Sequence, residues 1–197
     1  DLVILPGDFS WSTYLKDTYE DFYYLNSLPG KKLLLKGNHD YWWTTLKSMR
    51  NFLEENNFTN IDFIFNNAYE FEKYIFAGTR GWSQTEEENE KFLNRENLRL
   101  ENSLKQAKEI QEKNLQEKNI KKEIIVFMHY PPITNNQIAL NEINSFIKLM
   151  KEYDVKRCYY GHLHGTSIKE AIEKEYLGIN FKLVSADGLD FKLLKID

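Results

Sequence analysis

The chain has 197 residues, enough for one domain with a core of its own. Its 42% hydrophobic and 28% charged residues are the mixture of an ordinary globular protein, and it has no apolar run approaching a membrane span. The formal net charge of −4 argues against a dedicated nucleic-acid binder, which would carry a basic face. It leaves a small phosphate ester open as substrate, because bound metal ions supply positive charge locally.

Alternating apolar runs and amphipathic stretches predict an α/β domain over residues 1–197. Residues 2–6 read as a buried strand ending at Pro6-Gly7. The spacing of Leu15, Tyr19, Phe22 and Tyr23 predicts a helix over 12–28, stopped by Pro29-Gly30. A strand over 32–36, a turn at Gly37-Asn38, a helix over 42–56 and strands near 61–66 and 69–78 follow. Residues 86–118 lack Gly and Pro, and Leu93, Leu100, Leu104 and Ala107 share one side, which predicts a long, solvent-facing amphipathic helix. The plainer reading is a helix covering one flank of the domain; the alternative is a partner-binding arm or lid. Beyond it lie a strand over 123–128, a helix marked by Ile143, Phe146, Ile147 and Met150, and a strand over 156–160. The tail reads as a β-hairpin, 179–185 with 189–196, around Asp187-Gly188.

The histidines carry the chemistry. There are four, His39, His129, His162 and His164, and each falls at or just past the end of a predicted strand, where ligands gather in α/β sheets. Leu5-Pro6-Gly7-Asp8 ends a strand with a carboxylate. Lys36-Gly37-Asn38-His39-Asp40 places an amide oxygen, an imidazole and a carboxylate in one tight turn. A turn uses Gly and Asn for positive φ but has no need of the histidine. Phe127-Met128-His129-Tyr130-Pro131-Pro132 puts another imidazole at a strand end, and Gly161-His162-Leu163-His164 offers two on one face of an extended segment. Together they point to a metal site.

Gly-Asp, Gly-Asn-His-Asp, a strand-end His and Gly-His-x-His, in that order, resemble the calcineurin-like metallophosphoesterase superfamily, and the resemblance spans residues 7 to 165. Gly-Asn-His-Asp-Tyr-Trp-Trp and Gly-Thr-Arg-Gly-Trp are similar to a bacterial group of predicted phosphohydrolases within it. The resemblance implies a sandwich of two mixed β-sheets flanked by helices, hydrolysing phosphate esters at a centre of two divalent ions, Mn, Fe or Zn. It implies that Asp8 bridges the two ions, that Asn38, His129 and His162 complete the second, and that His164 binds the first. His39 would contact the phosphate and protonate the leaving group, and Asp40 would orient that loop or His39 itself. The family's opening Asp-x-His motif occurs nowhere in the sequence. The chain opens without Met, directly on the apolar run Leu2-Val3-Ile4-Leu5, so we expect the motif on a strand upstream and fewer ions bound to this chain.

Arg80, after a predicted strand, is either a phosphate clamp or a surface arginine in a glycine turn. Trp11, Trp42, Trp43 and Trp82 lie at or near the motif turns, as packing residues or as the wall of a pocket for an aromatic leaving group. Cys158, the one cysteine, reads as a core residue, with a metal role as the lesser alternative, and gives no sign of an oxidising compartment, so the expected location is cytoplasmic. The motifs leave monoester and diester substrates open. The rival function is a non-catalytic interaction module with an incomplete metal site. A metal-dependent nuclease is disfavoured by the acidic balance.

Overall fold

Period-two alternation along the strands explains the architecture of this computed structural model, which describes residues 1–82 and 90–196. Strands β1 (Leu2–Leu5), β2 (Lys31–Leu35) and β3 (Ile61–Ile64) form a parallel three-stranded sheet. Strands β4 (Tyr69–Phe71), β5 (Tyr74–Thr79), β6 (Glu123–Met128), β7 (Arg157–Tyr160), β8 (Glu175–Tyr176) and β9 (Ile179–Leu183) form a six-stranded sheet in the order β4-β5-β6-β7-β9-β8. Its four central strands are parallel, and the two edge strands run antiparallel.

Leu33 and Leu35 of β2 and Ile64 of β3 face Tyr74, Phe76, Ile125, Phe127 and Tyr159 of the larger sheet, and together they fill the space between the sheets. The residues one position out of phase point outward. On the small sheet Leu34, Ile61 and Phe63 pack against α1 (Tyr19–Ser27), α2 (Leu46–Glu55), Trp42 and Trp43. On the large sheet Ile75, Ala77, Ile124, Val126, Met128, Cys158 and Tyr160 pack against α3 (Glu90–Lys118) and α5 (Ser145–Glu152). The result is two sheets face to face, with helices on both outer faces. No helix among the described residues is long and apolar enough to cross a membrane.

Several elements differ from the sequence reading. The expected helix over 12–28 opens as a 3-10 turn, Leu15–Thr18, before α1 begins. The helix expected from 42 starts at Leu46, where the Thr45 side chain accepts a hydrogen bond from the Ser48 amide; Trp42 and Trp43 precede it as core residues. The strand expected over 69–78 is broken by a turn at Glu72, whose φ is 51°, and becomes β4 and β5. A short helix unseen in the sequence, α4 (Asn135–Ala139), is set by a capping box between Thr134 and Gln137. The expected tail hairpin is wrong. Residues Ile179–Leu183 pair in parallel with β7 and antiparallel with β8, Asp187–Leu189 is a 3-10 turn, and no strand follows among the described residues.

The long helix lies flat on the larger sheet and covers one flank, rather than standing out in solvent. Its first expected residues, 86–89, lie outside the described residues. Its buried face carries Glu96, Ser103, Gln111 and Asn114 beside Leu100, Leu104 and Ala107. Each of the polar residues has a partner: Ser103 Oγ donates to the Asn67 carbonyl at 2.6 Å and accepts from the Gly78 amide at 2.8 Å, and Gln111 Nε2 donates to the Lys122 carbonyl at 2.6 Å. Buried polar groups with matched partners fix a helix's register on a sheet as well as apolar contacts do.

Candidate metal centre

The parallel strands of both sheets end on the same side of the molecule. Pro6-Gly7-Asp8 follows β1, Gly37-Asn38-His39 follows β2, His129 follows β6 and Gly161-His162 follows β7. Two glycines let these loops close on one another. A Cβ on Gly7 would collide with His129 Nδ1 and the Gly37 backbone, and one on Gly37 would collide with the Asp8 carboxylate and amide. Asp8 and His162 themselves adopt left-handed backbone conformations, φ 57° and 70°. For a histidine that conformation is uncommon and costs energy, and such strain concentrates where a side chain must be aimed.

Asp8, His129 and His162 offer ligand atoms that all lie within 4.8 Å of one another. Asn38 joins them: its Oδ1 is 2.6 Å from His129 Nε2 and 3.0 Å from His162 Nδ1. The protonation of His129 follows from its other nitrogen. Nδ1 sits 2.9 Å from the Pro6 carbonyl, which can only accept, so Nδ1 carries the hydrogen. Burial pushes the His129 pKa down to about 4, against the pull of Asp8, so at neutral pH Nε2 is a bare lone pair. That lone pair faces the Asn38 oxygen, an Asp8 carboxylate oxygen at 3.5 Å and His162 Nδ1 at 3.2 Å. Burial lowers the His162 pKa as well. Electron-rich atoms crowded together in this way are what a divalent cation satisfies, and the mixed oxygen and nitrogen set fits one. The carbonyl of Pro6 plays the part that an outer acceptor plays for a metal-bound imidazole.

Asp40 is fully buried and ties the two motif loops together. One carboxylate oxygen accepts from the amides of Asp8 at 2.9 Å and Gly37 at 2.7 Å; the other accepts from Phe9 at 3.0 Å, Ser10 at 3.1 Å and Trp42 Nε1 at 3.2 Å. Burial pushes this carboxyl up, and the amides of Gly37, Ser10 and Asp8 pull it back. Asp40 therefore orients the loops through their backbones. His39 is held separately: its amide donates to Asp8 Oδ1 at 2.8 Å, its ring stacks on Trp11 with centroids 4.1 Å apart, and its Nδ1 lies 3.2 Å from the Tyr41 hydroxyl.

His164 and Arg80 also sit outside the cluster. His164 Nδ1 pairs with Asp187 Oδ1 at 2.9 Å, which leaves its Nε2 as the free nitrogen. Asp187 also accepts from the Gly165 amide at 2.7 Å, and that bond, with His164, holds its carboxyl down at about 2. Arg80 is not a surface arginine: its side chain is only 12% exposed and lies 3.7 Å from Glu96, with the guanidinium over the Trp82 ring. Its carbonyl accepts from the amides of His129 and Tyr130 at 3.2 and 2.9 Å. Glu96, fully buried, also accepts from Thr79 Oγ1 at 2.6 Å and Arg99 at 2.7 Å. Sequence reasoning missed Asp187 and Glu96. The Asp-Gly pair at 187 reads as a turn, and Glu96 is one acid among many on a charged helix.

A family model for calcineurin-like phosphoesterases matches residues 1–166. The chain belongs to that family. The matched region holds all four converging side chains together with His39, Asp40, Arg80 and His164. No curated protein matches the chain.

Proposed function

We propose that the chain is a metal-dependent phosphoester hydrolase whose Asp8, Asn38, His129 and His162 hold a divalent ion. The observation that supports this most is the bare Nε2 of His129, aimed at three other electron-rich side chains in a nearly dry setting. His164, its Nδ1 engaged by Asp187, would be the residue left to hold a second ion, a site that the absent Asp-x-His motif leaves incomplete in this chain. Bound divalent ions, Mn, Fe or Zn, supply charge for the phosphate oxygens and lower the pKa of a water toward neutrality.

The chain's own residues do the rest. Gly7 and Gly37 bring the ligand loops together, and Asp40 keeps them there. The Pro6 carbonyl fixes the tautomer that leaves Nε2 of His129 free to coordinate. His39, beside the cluster but outside its ligand set, is placed to contact the phosphate and to give a proton to the leaving oxygen. The substrate is a small phosphate ester, taken without a nucleic-acid partner, and the working location is the cytoplasm.

The test is hydrolysis of p-nitrophenyl phosphate and bis-p-nitrophenyl phosphate by the protein with added Mn²⁺. The rate should vanish with chelator, fall at least roughly 100-fold in His129→Ala, and return on adding metal to wild type. A chelator-resistant rate, or an unchanged His129→Ala, would remove the proposal.

A further inference from the structure

Trp11 stands out for its exposure. The indole is 68% exposed, although the residues on either side of it are held by hydrogen bonds. Just before it, the Ser10 amide donates to Asp40 at 3.1 Å, the Ser10 hydroxyl donates to Asp21 at 2.5 Å, and the Ser10 carbonyl accepts from Trp42 Nε1 at 3.0 Å. Just after it, the Ser12 hydroxyl donates to the Asp17 carbonyl at 3.2 Å. The exposed indole therefore stands on a loop fixed from both sides.

One face of the indole is covered. It lies on the His39 ring with centroids 4.1 Å apart and planes 12° from parallel. With that face occupied and 68% of the residue still exposed, the opposite face is open. Tyr41, 59% exposed, meets the His39 ring edge-on at 6.0 Å and its Nδ1 through the hydroxyl. Trp11, His39 and Tyr41 thus form a continuous aromatic surface. It starts at the candidate metal centre, since the His39 amide donates to Asp8 Oδ1. Trp42 and Trp43 are core residues and take no part in it.

We propose that this surface is the binding platform for the organic part of the substrate, and that the preferred substrates are phosphate esters bearing a planar aromatic group. The inference rests on the phosphoester reading above. A phosphate held at the metal centre would have His39 beside it, and the aromatic surface extends outward from His39. A flat π system gains stacking there, and an alkyl or sugar substituent gains little. Because the loop is tied down beforehand, little ordering is needed on binding.

The experiment is calorimetric titration of the full chain in Mn²⁺ with four probes: inorganic phosphate, ribose 5-phosphate, adenosine 5′-monophosphate and phenyl phosphate. Wild type should bind at least one of the two aromatic esters about tenfold more tightly than ribose 5-phosphate. Preference for phenyl phosphate would put the ring on the ester oxygen; preference for the nucleotide would put it one sugar away. In Trp11→Ala the ratio should fall to about one, and Trp11→Phe should keep most of it. Taking the ratio within each variant cancels any effect passed to the phosphate through His39. Equal wild-type affinities for ribose 5-phosphate and both aromatic esters would overturn the platform alone. So would a Trp11→Ala that weakens every probe equally, leaving Trp11 only as a support for His39. Failure of all four probes to bind the Mn²⁺-treated wild type would instead overturn the phosphoester reading, and the platform with it.

Discussion

Replacing Asp40 by Asn tests whether the two ligand loops are held by one buried carboxylate. The substitution keeps shape and volume and exchanges one acceptor oxygen for an NH₂ donor. If the amide nitrogen takes the side facing Asp8 and Gly37, two backbone N–H groups lose their acceptor. If it takes the other side, Phe9, Ser10 and Trp42 Nε1 lose theirs, although Trp42 keeps the Ser10 carbonyl. Either way at least two backbone donors are stranded in a fully buried setting and face a new donor. At about 1–3 kcal/mol for each unsatisfied group, the cheaper orientation, with two such groups, costs roughly 2–6 kcal/mol. Urea denaturation of the metal-free protein should show this as a lower midpoint with an unchanged slope. Metal affinity should fall as well, because Asp8 is aimed by the same loop. A stability change under about 1 kcal/mol would refute the reasoning and mean that water or loop movement replaces the lost acceptor.

Glu96→Gln should cost about 3 kcal/mol, since it removes a fully buried carboxylate that neutralises the largely buried Arg80 and the half-buried Arg99, and it should weaken metal binding because Arg80 supports the His129 backbone; calorimetric unfolding and a metal titration check both. Stability of the metal-free protein should fall as pH falls below the unfolded histidine value near 6.5, because the unfolded chain takes up a proton that native His129, held down to about 4, refuses. Between pH 7.5 and 5 that contribution is roughly 2 kcal/mol. Denaturation at several pH values should show His129→Gln lacking it, and an equal pH slope in the variant would contradict the assignment.

Much of the site was legible because its chemistry is written in short segments. Gly-Asn-His-Asp and Gly-His-x-His combine residues that no ordinary turn requires, and each follows a short strand, β2 and β7. The layered fold followed from alternation: the same runs that read as buried strands send odd and even side chains to opposite faces, as Ile124 and Ile125 do. What stayed hidden depends on partners far apart in the chain. His164 and Asp187 are separated by 23 positions, and nothing local distinguishes Asp187 from a turn residue. Glu96 and Asn114 looked like solvated positions on a charged helix because their partners, Thr79 and Glu70, lie on the sheet beneath it. The failed tail hairpin has the same origin: β9 pairs with β7, a register that only the assembled sheet determines.

The most direct test of the central claim is metal stoichiometry. After incubation with Mn²⁺ and removal of excess ion, elemental analysis should find about one ion per chain, and less than about a tenth of that in His129→Ala. An empty wild-type protein, or a His129→Ala that binds as much as wild type, would contradict the assignment of Asp8, Asn38, His129 and His162 as a metal centre.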